Sequence, residues 1–124
     1  MPYKLTLHIA SAAAVASGTD QADGEEHETG QLYDFVFALR ATKGSGTALN
    51  VKIQDSFDGG TTWFDVPLAA NPQLDTGGAF AELTADGSQV LCPIRPMGHL
   101  MRALRTSTGN GWTYTLMACC NPSS

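Results

Sequence analysis

The chain has 124 residues, 43% of them hydrophobic and 15% charged, with a formal net charge of −5. A chain of this length folds as one domain around one core, burying about two-thirds of its unfolded surface. An acidic total without a basic stripe argues against nucleic acid as a partner, because phosphate neutralisation needs clustered Lys and Arg. No apolar run approaches the ~20 residues of a membrane-spanning helix.

Period-two alternation dominates the chain and predicts strands. Leu5, Leu7 and Ile9 share one face of a first strand. The alanine-rich stretch that follows reads as loop rather than as a secretion signal, since only Lys4 precedes it as a basic residue. Residues 10–30 show no period and predict a loop or arm, with Asp20, Asp23, Glu25, Glu26 and Glu28 forming an acidic run. From Leu32 to Thr42 the alternation returns and puts Tyr33, Phe35, Phe37, Leu39 and Ala41 inward. Leu49, Val51 and Ile53 make the next half-buried strand.

A strand from Trp63 to Leu68 is expected at an edge, because Pro67 cannot donate to a ladder. Residues 71–78 predict a loop, and short strands follow at Ala79–Thr84 and Gln89–Ile94. A strand beginning at Leu100 carries Arg102 on one face and Arg105 on the other. The run Thr108-Gly109-Asn110-Gly111 is a hairpin turn signal, and the last strand aligns Trp112, Tyr114, Leu116 and Ala118. About eight short strands without a helical period predict an all-β, antiparallel β-sandwich or jelly-roll-like fold. The organisation reads as an N-terminal strand or arm with its acidic loop over 1–30, a sandwich core over 31–120 and a tail over 121–124, in a single domain.

No constellation for catalysis emerges, and the chain reads as a non-enzyme without cofactor. His8, His27 and His99 lack metal-ligand spacing, and the acidic run lacks the alternating ligands and final Glu of a calcium loop. Lys43-Gly44-Ser45-Gly46 does not have the glycine arrangement of a phosphate loop. Cys92, Cys119 and Cys120 are odd in number and two are adjacent, which does not make a disulfide framework and fits maturation in a reducing cytosol.

One motif is specific. Ser56-Phe57-Asp58-Gly59-Gly60-Thr61-Thr62-Trp63 has the spacing Ser-x-Asp-x-Gly-x-Thr-Trp and resembles the Asp-box hairpin turn known from sialidase propellers. One copy in a chain too short for a propeller points to a structural turn, built from Ser56, Asp58, Gly60, Thr62 and Trp63. In it Asp58 accepts main-chain amides and Gly60 takes a left-handed conformation. Trp63 is expected to anchor the outgoing strand in apolar contacts.

Across Leu32–Cys119, the order of an aromatic strand, the Leu49-x-Val51-x-Ile53 strand, the turn, an Arg-bearing strand, a Gly turn and a Thr/aromatic strand resembles small tailed-phage virion proteins. Within that group it is most similar to head decoration, or cement, proteins. The resemblance implies a virion location, with the major capsid protein and neighbouring copies of the chain as partners in a homo-oligomer such as a trimer. Expected contacts are the strand Tyr3, Leu5, Leu7 and Ile9, added to a neighbour's sheet edge, with Arg95, Arg102 and Arg105 as polar contacts. The alternatives are a neck- or tail-associated protein, or a carbohydrate-binding host-adhesion module on an aromatic platform. Trp63, Trp112 and Tyr114 are the candidates for such a platform, and alternation turns them toward the core.

Overall fold

The computed structural model describes residues 5–69, 80 and 82–122. They form an antiparallel β-sandwich. The first sheet runs β1 (Leu5–Val15), β10 (Trp112–Pro122), β4 (Leu32–Thr42), β8 (Gly87–Pro93) and β7 (Leu68–Ala69). The second runs β2 (Gly18–Gln21), β9 (Leu100–Thr108), β5 (Ala48–Ser56) and β6 (Phe64–Asp65), with β3 (His27–Glu28) also pairing β9.

The alternation that predicted the strands also fills the core. Phe35, Phe37 and Leu39 of β4 and Trp112, Leu116 and Ala118 of β10 face Leu49, Val51 and Ile53 of β5 across the two layers. Phe35 and Phe37, two residues apart and therefore on one face, stack with centroids 5.8 Å apart and planes 11° from parallel.

Four expectations are corrected. Residues 10–15 are not loop but continue β1, which pairs with β10 from Leu5↔Cys120 to Val15↔Trp112. The period fails there because of register shifts between His8 and Ala10 and between Ala12 and Val15, together with a left-handed φ of 49° at Ala14. The acidic run likewise carries the end of β2 and the whole of β3, both laid on β9. Asn121 and Pro122 are not tail but pair with Tyr33 and Leu32.

The fourth correction concerns Trp63–Leu68. Pro67 divides this stretch, so that β6 stays on β5 while β7 crosses to the first sheet and pairs β8. Buried Val66 marks the crossing, its amide donating to Ile53 O at 2.8 Å. Of the strand expected at Ala79–Thr84, the described residues show a single bridge, Leu83↔Leu49. The loop expected at 71–78 lies outside the described residues.

The two ends of the sandwich are built differently. At one end the β1–β2, β4–β5 and β9–β10 connections are cross-tied by polar bonds. Ser17 N donates to Asn110 Oδ1 (2.8 Å), Gly111 N to Val15 O (2.9 Å) and Thr47 N to Thr108 O (2.8 Å). The other end holds the Ser56–Trp63 turn and the 94–99 connection, and there large apolar side chains reach solvent.

Candidate interaction surface

The Ser56–Trp63 turn positions this second end. Ser56 is fully buried at the end of β5; its hydroxyl donates to Asp58 Oδ1 at 2.8 Å and accepts the Gly60 amide at 2.9 Å. Asp58 Oδ1 also accepts the amides of Thr61 (3.1 Å) and Thr62 (2.8 Å). These bonds, the Thr62 amide and the Ser56 hydroxyl foremost, pull the Asp58 carboxyl down to about 2. Gly60 sits at φ 99°, in the left-handed region expected of it.

Trp63 departs from its expected place. It is half-buried on the outside of the second sheet, with its indole N–H donating to Gly60 O at 3.0 Å and the Arg102 guanidinium 4.1 Å above its ring. Arg102 also donates to Gln54 Oε1 at 2.9 Å. Trp112 and Tyr114 are in the core, as alternation required. Trp112 and Tyr114 offer no exposed ring, and Arg102 occupies one face of Trp63.

The exposed aromatics are others. Phe57, at the x position between Ser56 and Asp58, is 51% exposed, and Phe64 is 50% exposed. Their rings touch at 5.9 Å, tilted by 53°. The position between two turn-forming side chains must point away from the turn, and that was the available signal for Phe57.

Arg95 lies 5.4 Å over the Phe57 ring. Its guanidinium grips the fully buried Asp55 carboxylate with two bonds of 2.6 and 2.7 Å, and Asp55 also accepts the Gly98 amide at 2.8 Å. The Asp55 hydrogen bonds and charge raise the Arg95 pKa against burial. The 94–99 connection is further held by Thr29, whose hydroxyl donates to Gly98 O at 2.6 Å, and by His99 N donating to Ser56 O at 2.8 Å.

Beside it opens a groove of about 700 Å³ between the start of β4 and residues 92–99. Tyr33 stands at its lip, 44% exposed rather than inward as alternation predicted. The cause is Asp34, at φ 57°, which bulges β4 against β10 between Cys119 and Asn121 and turns Tyr33 out.

Arg105 is corrected from a surface contact to an internal one. On β9 it points between the sheets, 5% exposed, and its side chain binds Asp23 at 2.6 and 3.0 Å and Ala16 O at 2.7 Å. Tyr114 from the opposite sheet donates to the same carboxylate at 2.5 Å. Burial alone would raise the Asp23 carboxyl, but the bonds from Arg105 and Tyr114 outweigh it and hold the group below its ordinary value. Burial first, then the Asp23 bond, push the Tyr114 hydroxyl well above the usual tyrosine range.

The strand Leu5, Leu7 and Ile9 is paired within its own sheet, with Ile9 buried and Leu5 and Leu7 half-buried; Tyr3 lies outside the described residues. The outer edge of β1 is covered at Ile9, where a Cβ on Gly24 would lie 1.9 Å from Ile9 O, so only glycine fits that approach. The outer face of the first sheet is weakly charged, its rows running His8–Met117–Ala38–Val90 and Ser11–Thr115–Arg40–Ser88. Among the described residues no three His, Cys, Asp or Glu side chains gather as a metal site, and Cys92, Cys119 and Cys120 are free thiols.

No protein-family model and no curated protein matches this sequence. Among solved structures the chain is similar to the SPBc2 prophage-derived protein YomS, with a TM-score of 0.58 and 16% identity over 98% of this chain and 95% of that one. A chain from the structure of infectious bursal disease virus, Gx strain, gives a TM-score of 0.47 and 14% identity over 98% of this chain and 32% of its own. The likeness to YomS shows the fold, a sandwich matched over nearly the whole of both chains.

Proposed function

We propose that the chain is a virion structural protein of a tailed phage, a decoration or cement protein that binds the assembled head shell alongside copies of itself. The observation that carries this reading is the exposed Phe57–Phe64 pair backed by Arg95, set on a rigid turn. Aromatic and arginine side chains at well-supported positions are the usual anchors of protein interfaces. The prophage origin of YomS supports the phage setting. The mechanism is passive: many copies that bind only the assembled shell stabilise it by mass action, and their weak contacts add. The weakly charged outer face of the first sheet suits packing against a neighbouring copy.

The carbohydrate-binding alternative needs a flat ring platform. The two phenylalanines make a wedge tilted by 53°, and Trp63 is capped by Arg102. A wedge fits a pocket in a protein better than the face of a sugar.

The test adds purified protein to shells stripped of it. Binding with a raised rupture temperature is the expected result, lost in the double variant Phe57→Ser/Phe64→Ser. A protein that ignores shells but is retained on a glycan surface or a tail fraction overturns the reading.

A further inference from the structure

At the open end the Phe57–Phe64 wedge stands among charges that do not balance. Of the seven Lys and Arg residues, Lys4 lies outside the described residues. Arg40 and Lys43 sit toward the tied end, Arg40 in the row with Thr115 and Ser88 and Lys43 with its amide on Asp86 Oδ1 at 2.7 Å. Arg105 is closed on Asp23. The other three are committed within the molecule. Arg95 is gripped by Asp55, Arg102 lies on Trp63 and bonds Gln54, and Lys52 stands between Asp20 (3.8 Å) and Asp65 (3.4 Å).

The nearest free acids have no such partners. Glu26 and Glu28 are exposed, and among the described residues neither is in an ion pair. Both lie against the structure that carries the wedge. Glu26 Oε1 is 3.7 Å from where a Cβ on Gly60 would stand, and Glu28 lines one depression with Gly59 and His99. The next residue, Thr29, donates its amide to His99 O at 2.8 Å, and a Cβ on Gly98 would lie 3.3 Å from the Phe57 ring.

We infer that the wedge enters an apolar pocket of a partner protein whose rim, on the side of Glu26 and Glu28, carries Lys or Arg. This rests on the virion reading and adds to it the chemistry of the surface that is met. Interfaces have an apolar core and a polar rim, where opposite charges steer encounter and like charges oppose it. Unpaired carboxylates act over about one Debye length, ~10 Å at 0.1 M salt, and every cation near them is already committed. The same field repels phosphate, so nucleic acid is not the occupant. Nor is the same end of a second copy, because a two-fold contact would bring two sets of carboxylates together.

The test follows association of the full chain with stripped shells at low and high salt. From about 50 to about 500 mM salt, association should slow at least about fivefold while dissociation changes less than about twofold. At the lower salt Glu26→Lys and Glu28→Lys should each slow association about threefold or more. Glu82→Lys makes the same change in net charge at an exposed site beside the Leu83↔Leu49 bridge, toward the tied end, and should slow it less than about 1.5-fold. Equal slowing by all three variants, indifference to salt, or faster association of Glu28→Lys overturns the inference while shell binding itself stands. Shells ignored at every salt overturn the virion reading and this inference with it. Oligomers of the free chain that dissolve in Phe57→Ser/Phe64→Ser assign the wedge to a second copy and overturn the inference as well.

Discussion

Each end of the sandwich contains an arginine gripping an aspartate with two bonds, and the two pairs are placed very differently. Toward the tied end, Arg105 and Asp23 are both mostly enclosed, with side chains 6% and 15% exposed. At the open end Asp55 is fully buried but Arg95 keeps 30% of its side chain in solvent and lies over Phe57. The first pair closes a loop across the gap between sheets; the second holds the wall of a groove and supports an exposed ring. The same chemical pair serves closure at one end and presentation at the other, and the difference lies in where the guanidinium can go.

That contrast has a direct test. Asp23→Ala leaves a guanidinium enclosed without its carboxylate and strips Tyr114 of its acceptor. A loss of about 3–5 kcal/mol is expected in urea unfolding, with an unchanged denaturant slope. Asp55→Ala frees Arg95 to turn to water, so the cost falls to about 1–3 kcal/mol, mostly the unmade bond of the Gly98 amide. Equal losses would mean that the two ends do not differ as their exposure says.

The open end should be cheap to alter for folding and expensive for binding. Phe57→Ser/Phe64→Ser removes two half-exposed rings, and unfolding free energy should move by about 0.5 kcal/mol or less per site. Shell binding measured by co-sedimentation should weaken about thirtyfold or more, the ~2 kcal/mol of an anchoring side chain. A variant that is destabilised but still binds would move the contact away from this end.

Much of this architecture was readable from residue order alone. β10, β4 from Phe35 onward and β5 up to Asp55 alternate because each has one face on the core, and the turn bonds of Asp58 follow from its spacing. What escaped were the places where main-chain geometry breaks the period. The bulge at Asp34 moved Tyr33 outward, and the shifts at Ile9 and Ala14 hid half of β1. Arg105 escaped for another reason: a lone arginine in a strand gives no sign of burial until its partner, 82 residues away, is brought beside it by the fold. Phe57 is fixed by the same spacing: it lies between Ser56 and Asp58, whose side chains form the turn bonds, and its own ring is displayed outward.

The smallest effect separates the two ends by acid. Asp23 and Asp58 both titrate below the ordinary value of 3.8, so each contributes stability that is present above that value and lost as pH falls through the folded pKa. For Asp58 the loss runs from the ordinary value of 3.8 down to about 2, and its source is local: the Thr62 amide, the Ser56 hydroxyl and the Thr61 amide. Asp58→Asn keeps an acceptor but no charge, so its melting temperature should lie below that of the parent at pH 5. The two should converge as the solution approaches pH 2, where the parent carboxyl is itself protonated. Tyr114→Phe, which removes one donor to Asp23, should leave that convergence in place while shifting the earlier part of the acid profile. A gap between parent and Asp58→Asn that persists unchanged into strong acid would show that the turn depends on the shape of the acceptor and not on its charge.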